Sequence, residues 1–489
     1  MSEVMEHWLD KRVALSPDAL AIETPEGEQW TFFRLQQEAK LFAKKLANVA
    51  CKQKHIGILS GNSVEMVVAF LACTYIQAPV VFLNTRLTEK EIEKQCQAAD
   101  VDLLLTSTYY RSKAKQLSTT SYTFNQIREL ETMSISLPSS IKMEGLCSMM
   151  FTSGTTGTAK AVMHRYKNHW ASAVASALNL GLLSTDKWLA CLPLFHIGGL
   201  SIILKGIIYG MPVYLLERFD EQIVHQAILD KGVSIVSVVS VTCMRLLQLL
   251  GKQRYPKNFR CMLLGGGPAP QPLLEKARAL DVPIVQTFGM TETSSQIATL
   301  NEHDALRKIG SAGHALFSAS LEIRKNGKQA AVNEIGEIVV RGPMVTDGYY
   351  KREEANLASF QEGWFLTGDL GYQDEEGFLY VVDRRSDLII SGGENIYPAE
   401  IEDCLLSMPT IAEAGVVGIP DPVWGEVPVA FVVKRDGALT QDDIVKHCRS
   451  RLARFKIPKQ IFFTDVLPRN ATNKLQRHQL KKWIEERNG

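Results

Sequence analysis

The sequence carries almost no net charge, 54 lysines and arginines against 53 aspartates and glutamates for a formal +1. That balance removes the electrostatic case for nucleic acid or an anionic membrane surface, both of which attract a basic excess. Paired cysteine motifs are missing as well. Nine cysteines are scattered over 489 residues with no CxxC, which argues against a zinc site or a disulfide framework and for reduced core thiols. No repeat with a period of about 20–50 residues recurs, and no segment is of low complexity. The opening MSEVMEHWLDKRV lacks the basic-then-apolar layout of a signal peptide. Long hydrophobic runs are absent too. The strongest, residues 198–216, is interrupted by Lys205, Gly206, Gly210 and Pro212, and reads as a buried helix followed by a strand. The expectation is a cytoplasmic protein of small-molecule partners, with no nucleic acid and no stable membrane insertion. A homo-oligomer is left open.

What is present is length and ordinary globular composition, 46% hydrophobic and 22% charged, enough for a large core and roughly two to four domains. Short apolar runs alternate with helical stretches: residues 56–59 with 63–75, 80–83 with 88–99, 233–239 with 242–250, and 261–264 with 272–280. Such alternation predicts an α/β fold with mostly parallel sheets. From about residue 316 the texture turns β-rich, with LEIRKNGK, GEIVVRGP and GFLYVVDRR separated by turn signals. The charged turn Asp383-Arg384-Arg385-Ser386-Asp387 reads as a linker, and a βαβ-like pattern follows it. The expected architecture is a large N-terminal domain, 1–385, of mixed α/β subdomains plus a β-rich subdomain. A small α+β C-terminal domain, 386–489, completes it.

Six segments offer chemistry. Residues 151–160, FTSGTTGTAK, combine hydroxyls, two glycines and a lysine after an apolar run. Backbone N–H groups, hydroxyls and one cation suit a polyphosphate, although a plain turn has similar composition. It is not a Walker A loop, because Ala159 rather than glycine precedes Lys160 and no Ser or Thr follows it. Residues 263–269, LLGGGPA, end a strand in glycines that let a flat ring approach the backbone. Residues 288–293, FGMTET, set a hydroxyl beside a carboxylate, a fit for Mg²⁺ or simply a capped helix start. Residues 364–369, WFLTGD, end in a carboxylate that matches vicinal ribose hydroxyls, or an aspartate in a tight turn. Residues 383–395 join an arginine pair to Gly392-Gly393, and residues 467–474, LPRNATNK, end in Lys474. A lysine in a polar tail is ordinarily a solvated surface charge.

In this order the segments resemble the adenylate-forming superfamily of acyl-CoA synthetases, luciferases and peptide-synthetase adenylation domains, over essentially the whole chain. Within it, the runs at 176–181, 192–201, 263–275, 290–300, 384–400 and 467–475 are similar to the o-succinylbenzoate–CoA ligases of menaquinone biosynthesis. Three positions depart from the pattern: Ala159 where proline is usual, Phe288 for tyrosine, and Gly198 where those ligases often carry serine.

The resemblance implies attack of a carboxylate on ATP to give an acyl-adenylate, which the thiol of CoA then opens, with Mg²⁺ assisting. It implies that Thr152, Ser153, Gly154, Thr155, Thr156, Gly157 and Lys160 hold the β- and γ-phosphates, Thr291 the α-phosphate and Glu292 the metal. Gly266, Gly267 and Phe288 would flank adenine beside Gly289 and Met290, while Asp369 and Arg384 would bind the ribose. Lys474 would bridge the incoming carboxylate and the α-phosphate, with Thr291 and His196 completing the catalytic set. The acid would lie among His196, Lys205, Gly267 and Gly289, Lys205 meeting a second carboxylate unless it reaches solvent. CoA would pass Ser391, Gly392 and Gly393, and the small domain would be mobile about a hinge at Ser386. A ligase for another fatty or aryl acid, or an adenylation enzyme loading a carrier-protein thiol, stays open. An inactive binding module sits badly with the joint presence of Lys160, Thr291, Glu292, Asp369, Arg384 and Lys474.

Overall fold

The computed structural model describes residues 3–50, 55–152, 159–266, 271–301, 304–305, 307–384, 387–391, 394–421, 424–435, 437–452, 454–469 and 475–488. Two large sheets build most of the N-terminal domain. The first has six strands in the order Lys160–Arg165, Leu146–Thr152, Val80–Phe82, His55–Leu59, Val101–Thr106, Thr120–Thr123. All its pairings are parallel except that between the first two strands. The second has nine strands, and its central run is likewise parallel: Ile284–Met290, Cys261–Leu264, Ile235–Val238, Trp188–Ala190, Val213–Leu215, Leu20–Glu23. The alternation of short apolar runs with helices therefore reads as predicted, because a parallel neighbour requires a crossover.

Between the sheets lies one continuous core. The helix Val64–Tyr75 is apolar all round, every residue but Glu65 being buried, so both of its sides must meet protein. Ser63 starts it by accepting the Met66 N–H at 3.1 Å. The same core takes Ile56, Ile58 and Phe82 from the first sheet and Ile22, Trp188 and Leu263 from the second. The run 198–216 is a helix, Ile197–Tyr209, and a strand, Val213–Leu215, as read. Among the described residues no helix is long and apolar enough to cross a membrane. The eight described cysteines are buried, and none of them forms a disulfide.

The β-rich subdomain is antiparallel throughout, with Ser320–Lys325, Gly336–Arg341, Trp364–Gln373 and Leu379–Arg384 as its main strands. Here one expectation is corrected. Asp383 and Arg384 are not a turn but the end of a strand, bonded in register to Leu370 and Asp369. The small domain has its own sheet, Glu394–Ile396, Ile389–Ser391, Gly425–Lys434, Ile411–Asp421, with Gln460–Phe463 added in parallel. Its long antiparallel pair, Ile411–Asp421 with Gly425–Lys434, makes it α+β, so the βαβ-like reading of this stretch holds only for the last crossover. Helices Pro398–Leu406 and Gln441–Arg449 close one core and Arg477–Asn488 another.

Candidate functional site

A single cleft of about 2650 Å³ collects nearly every described residue singled out above: Thr152, Lys160, His196, Lys205, Gly266, Phe288, Gly289, Met290, Thr291, Glu292 and Asp369. It opens at the carboxyl ends of parallel strands of both sheets, through Thr85 and Asn62 on one side and Cys191, Val239 and Gly265 on the other. Loops after parallel strands converge at such an edge, which is why ligands bind there. Asn62 fastens the two sets of loops together. Its Nδ2 donates to the carbonyls of Leu192 at 3.0 Å and Leu216 at 3.1 Å, and its Oδ1 accepts the Leu194 N–H at 2.8 Å.

At one end, Thr152 and Lys160 are direct partners across an antiparallel ladder, so the two ends of the glycine–hydroxyl loop are held side by side. Ser153, Gly154, Thr155, Thr156 and Gly157 lie outside the described residues. The Lys160 ammonium stands over the Tyr349 ring, 4.8 Å from its centroid, and the Tyr349 hydroxyl donates to Glu292 Oε1 at 2.9 Å. Thr291 and Glu292 start a short 3₁₀ turn, Thr291–Thr293, directly after the strand Ile284–Met290, rather than a capped α-helix.

Phe288 and Gly289 belong to that strand, where the register slips against Ser295–Thr299. The slip brings backbone so close that a Cβ on Gly289 would sit 1.9 Å from the Ser295 carbonyl oxygen. Gly289 is thus required by strand packing before any ligand is considered. Gly266 has φ +86°, a left-handed conformation that favours glycine. Gly267 is outside the described residues.

Asp369 is 7% exposed and sits inside the strand Trp364–Gln373, so the tight-turn alternative falls. Gly368, at φ +72°, supplies the local kink, and Thr367 Oγ1 accepts the Asp369 N–H at 3.0 Å. Across the ladder its partner is Arg384. Two residues assigned to one ribose are therefore cross-strand neighbours.

The other end of the cleft is organised by the helix Ile197–Tyr209, whose N-cap is His196. The His196 Nε2 is buried with no hydrogen-bond partner among the described residues. Burial, with a smaller push from Arg86, lowers its pKa to about 4, so the ring is neutral. Gly199 admits no side chain, since a Cβ would meet the Pro193 carbonyl at 2.3 Å, whereas a Cβ on Gly198 finds nothing nearer than Leu192 Cδ1 at 3.4 Å. Lys205 is 2% exposed, which eliminates a lysine reaching solvent. Its ammonium donates to Gln296 Oε1 at 2.9 Å and stands 5.4 Å from the Trp188 ring centroid. Gln296 Oε1 also accepts from Ser176 Oγ at 2.7 Å. Burial brings the Lys205 pKa down from its usual 10.5 to about 7.

Ser391 is not brought to this cleft. It is buried in the small-domain sheet, paired with Glu394 and Gly425. Gly392, Gly393, Ser386 and Lys474 lie outside the described residues, but Leu475 and Gln476, immediately after Lys474, line the cleft. Sequence reasoning missed Tyr349, Asn62 and Gln296. Asn62 had a usable signal, a polar residue just past the carboxyl end of a parallel strand. Tyr349 and Gln296 had none, since both act through partners distant in sequence.

Family comparison agrees with this geometry. The model for AMP-binding enzymes matches residues 9–350, and that for the AMP-binding enzyme C-terminal domain matches residues 400–474. A 2-succinylbenzoate–CoA ligase from Oceanobacillus iheyensis is 51% identical over 99% of this chain and 100% of its own length. The o-succinylbenzoate CoA synthetase of Bacillus subtilis in complex with its acyl-adenylate intermediate superposes with a TM-score of 0.93 at 44% identity, covering 98% of each chain. The same enzyme in complex with ATP and a magnesium ion gives 0.93 at 44% identity, over 98% of this chain and 100% of that one. With both domain models in sequence and the cleft residues in place, this chain belongs to the AMP-binding enzyme family.

Proposed function

We propose that this protein is an AMP-forming o-succinylbenzoate–CoA ligase, which makes o-succinylbenzoyl-CoA for menaquinone biosynthesis from the acid, ATP and CoA. The observation that carries the acid assignment is Lys205, a buried cation on the cleft wall whose described hydrogen-bond partner is an uncharged amide. A buried ammonium is costly without an anion, and a substrate with a second carboxylate supplies one.

In the first step a carboxylate oxygen of the acid attacks the α-phosphorus of ATP, and the bond to the β-phosphate breaks to release pyrophosphate. Both reactants are anionic, so the protein's task is positioning and charge neutralisation. Thr152 and Lys160 serve the outer phosphates, Thr291 the α-phosphate, and Lys474 the pentacoordinate centre as a point charge on a flexible stem. The buried Glu292 carboxylate, with the Tyr349 hydroxyl on one oxygen, suits Mg²⁺, which takes its other ligands from phosphate and water and offsets phosphate charge. Asp369 and Arg384 hold the ribose, and Gly266 and Phe288 flank adenine. In the second step the CoA sulfur attacks the acyl carbon and AMP leaves, the thiol proton passing to solvent. His196, neutral and with Nε2 unpartnered among the described residues, orients the acyl group where acid, adenylate and thiol meet.

Ser391 lies in the small-domain sheet away from the cleft while the chain next to Lys474 lines it, and this supports a rotation of the small domain about Ser386 between steps. Described cysteines in the thiol form and soluble co-substrates suit a cytoplasmic location. The test is thioester formation with purified protein, ATP, Mg²⁺ and CoA across a panel of carboxylic acids. o-Succinylbenzoate should be preferred, with AMP and pyrophosphate released. Preference for a monocarboxylate, or acyl transfer only to a carrier protein, overturns the assignment.

A further inference from the structure

The turn that presents Thr291 and Glu292 is closed internally by Thr293, whose Oγ1 accepts the Met290 N–H at 3.0 Å and donates to the Ser295 carbonyl at 2.8 Å, yet its exit is strained. It is only three residues long, and the chain leaves it through Ser294 at φ +52° and Ser295 at φ +106°, backbone that residues with side chains seldom adopt. Such a turn needs outside supports. Three of them are ordinary: the Thr346 N–H donates to the Glu292 carbonyl at 2.8 Å, Ser172 Oγ donates to the Ser294 carbonyl at 2.7 Å, and Ser294 Oγ donates to the Met344 carbonyl at 2.9 Å.

The fourth is not. His164 is 0% exposed on the strand Lys160–Arg165, four residues beyond Lys160, and its Nε2 lies 2.7 Å from the Thr291 carbonyl oxygen. A carbonyl only accepts, so Nε2 carries the proton. Nδ1 is then a bare acceptor, buried with no partner among the described residues. The ring stands 5.2 Å from that of His169, which is itself bonded to Ser148 Oγ at 3.0 Å. Leaving Nδ1 unsatisfied is expensive in a dry interior, and a methionine or leucine would fill the space without that cost. The strand thus carries two groups on one face, Lys160 at the cleft and His164 beneath it, because side chains four apart in a strand share a face.

We propose that His164 is a positioning residue for adenylate formation: its Nε2–H holds the Thr291 carbonyl and so fixes the Thr291–Glu292 turn relative to the strand that carries Lys160. The proposal rests on the reading above that Thr291 and Glu292 serve ATP and its metal. Burial keeps the imidazole neutral, with a pKa lowered to about 4, so the donor is present throughout the working pH range.

The test compares His164→Met with His164→Gln, similar in length but only the second offering a donor near the Nε2 position, with Thr291→Ala as a control. Acid-dependent ATP–pyrophosphate exchange should fall roughly 10- to 100-fold in kcat/KM for Mg·ATP in His164→Met, as expected for a misplaced reacting group. KM for the acid and CoA transfer from pre-made acyl-adenylate should change by less than about threefold, and His164→Gln should recover most of the loss. Equal losses in both variants, or equal damage to both half-reactions, overturn the proposal. If Thr291→Ala leaves exchange intact, the reading of the ATP site fails instead. Should His164→Met not fold, nitrogen-15 NMR of the wild-type protein decides: an Nε2–H imidazole, absent from the His164→Gln spectrum, is required, and an Nδ1–H tautomer overturns it.

Discussion

At the scale of single residues, Lys205 sets stability against activity. The folded chain holds fewer protons on this side chain than the unfolded chain between its lowered pKa of about 7 and the usual 10.5. Stability therefore rises with pH through that window, and the ammonium is a net cost below it. Lys205→Met should raise Tm by roughly 2–4 °C at pH 7 and flatten this slope. It should also weaken o-succinylbenzoate binding by about 30-fold or more while leaving ATP binding unchanged, as titration calorimetry would read. In the wild type, affinity for the dicarboxylate should fall as pH rises above about 7, because the cation is then lost from the free site, and a monocarboxylate should show no such trend. An unaltered Tm with parallel loss for both acids would contradict this account. Tyr349→Phe removes the hydroxyl from Glu292, and half-maximal activity should then need about 3- to 10-fold more Mg²⁺. A lysine inside the apolar run 200–208 was conspicuous in the sequence, yet its partner Gln296 was not. The two are 91 residues apart, and periodicity says nothing about a contact made through space.

At the scale of elements, strand pairing accounts for features that motif reasoning assigns to ligands. Gly289→Ala must displace the Ser295 carbonyl, 1.9 Å from the new carbon, and should cost about 3 kcal/mol or more, seen as a lowered denaturation midpoint even without nucleotide. Gly198→Ser, with its nearest neighbour at 3.4 Å, should leave the midpoint within about 0.5 kcal/mol and alter only the acid KM. Parallel strand–helix units were legible because apolar runs and amphipathic stretches alternate cleanly. Asp369 was harder. A glycine before an aspartate signals a turn, and here the same pair makes a kink within a strand, at Gly368 φ +72°. Its placement opposite Arg384 depends on sheet register, which no local pattern of residues encodes. Pairing also bears on Ala159, since its neighbour Lys160 and Thr152 are held opposite each other by the ladder.

At the scale of the whole molecule, two domains were legible in the sequence as a change of texture after the β-rich segments, and the small domain does form its own sheet. The sequence could not say which face of the small domain meets the cleft, since that depends on packing between surfaces far apart in the chain. On the proposed rotation, Lys474→Ala should abolish acyl-adenylate formation, by on the order of a hundredfold or more, and spare CoA transfer from pre-made adenylate. Gly393→Leu should do the reverse, so that adenylate accumulates while no thioester forms. Equal damage to both half-reactions in either variant would contradict the division of labour.

The fastening of both sheets by Asn62, over a core drawn from both, also bears on how the protein opens. Neither sheet can separate without exposing the other's half of that core, so the two should exchange their amide protons as one cooperative unit. The small domain encloses its own cores and should open independently and more often. Hydrogen exchange followed by mass spectrometry should then show two protection classes. Strands His55–Leu59 and Cys261–Leu264 should share one rate despite lying in different sheets, and Gly425–Lys434 should have another.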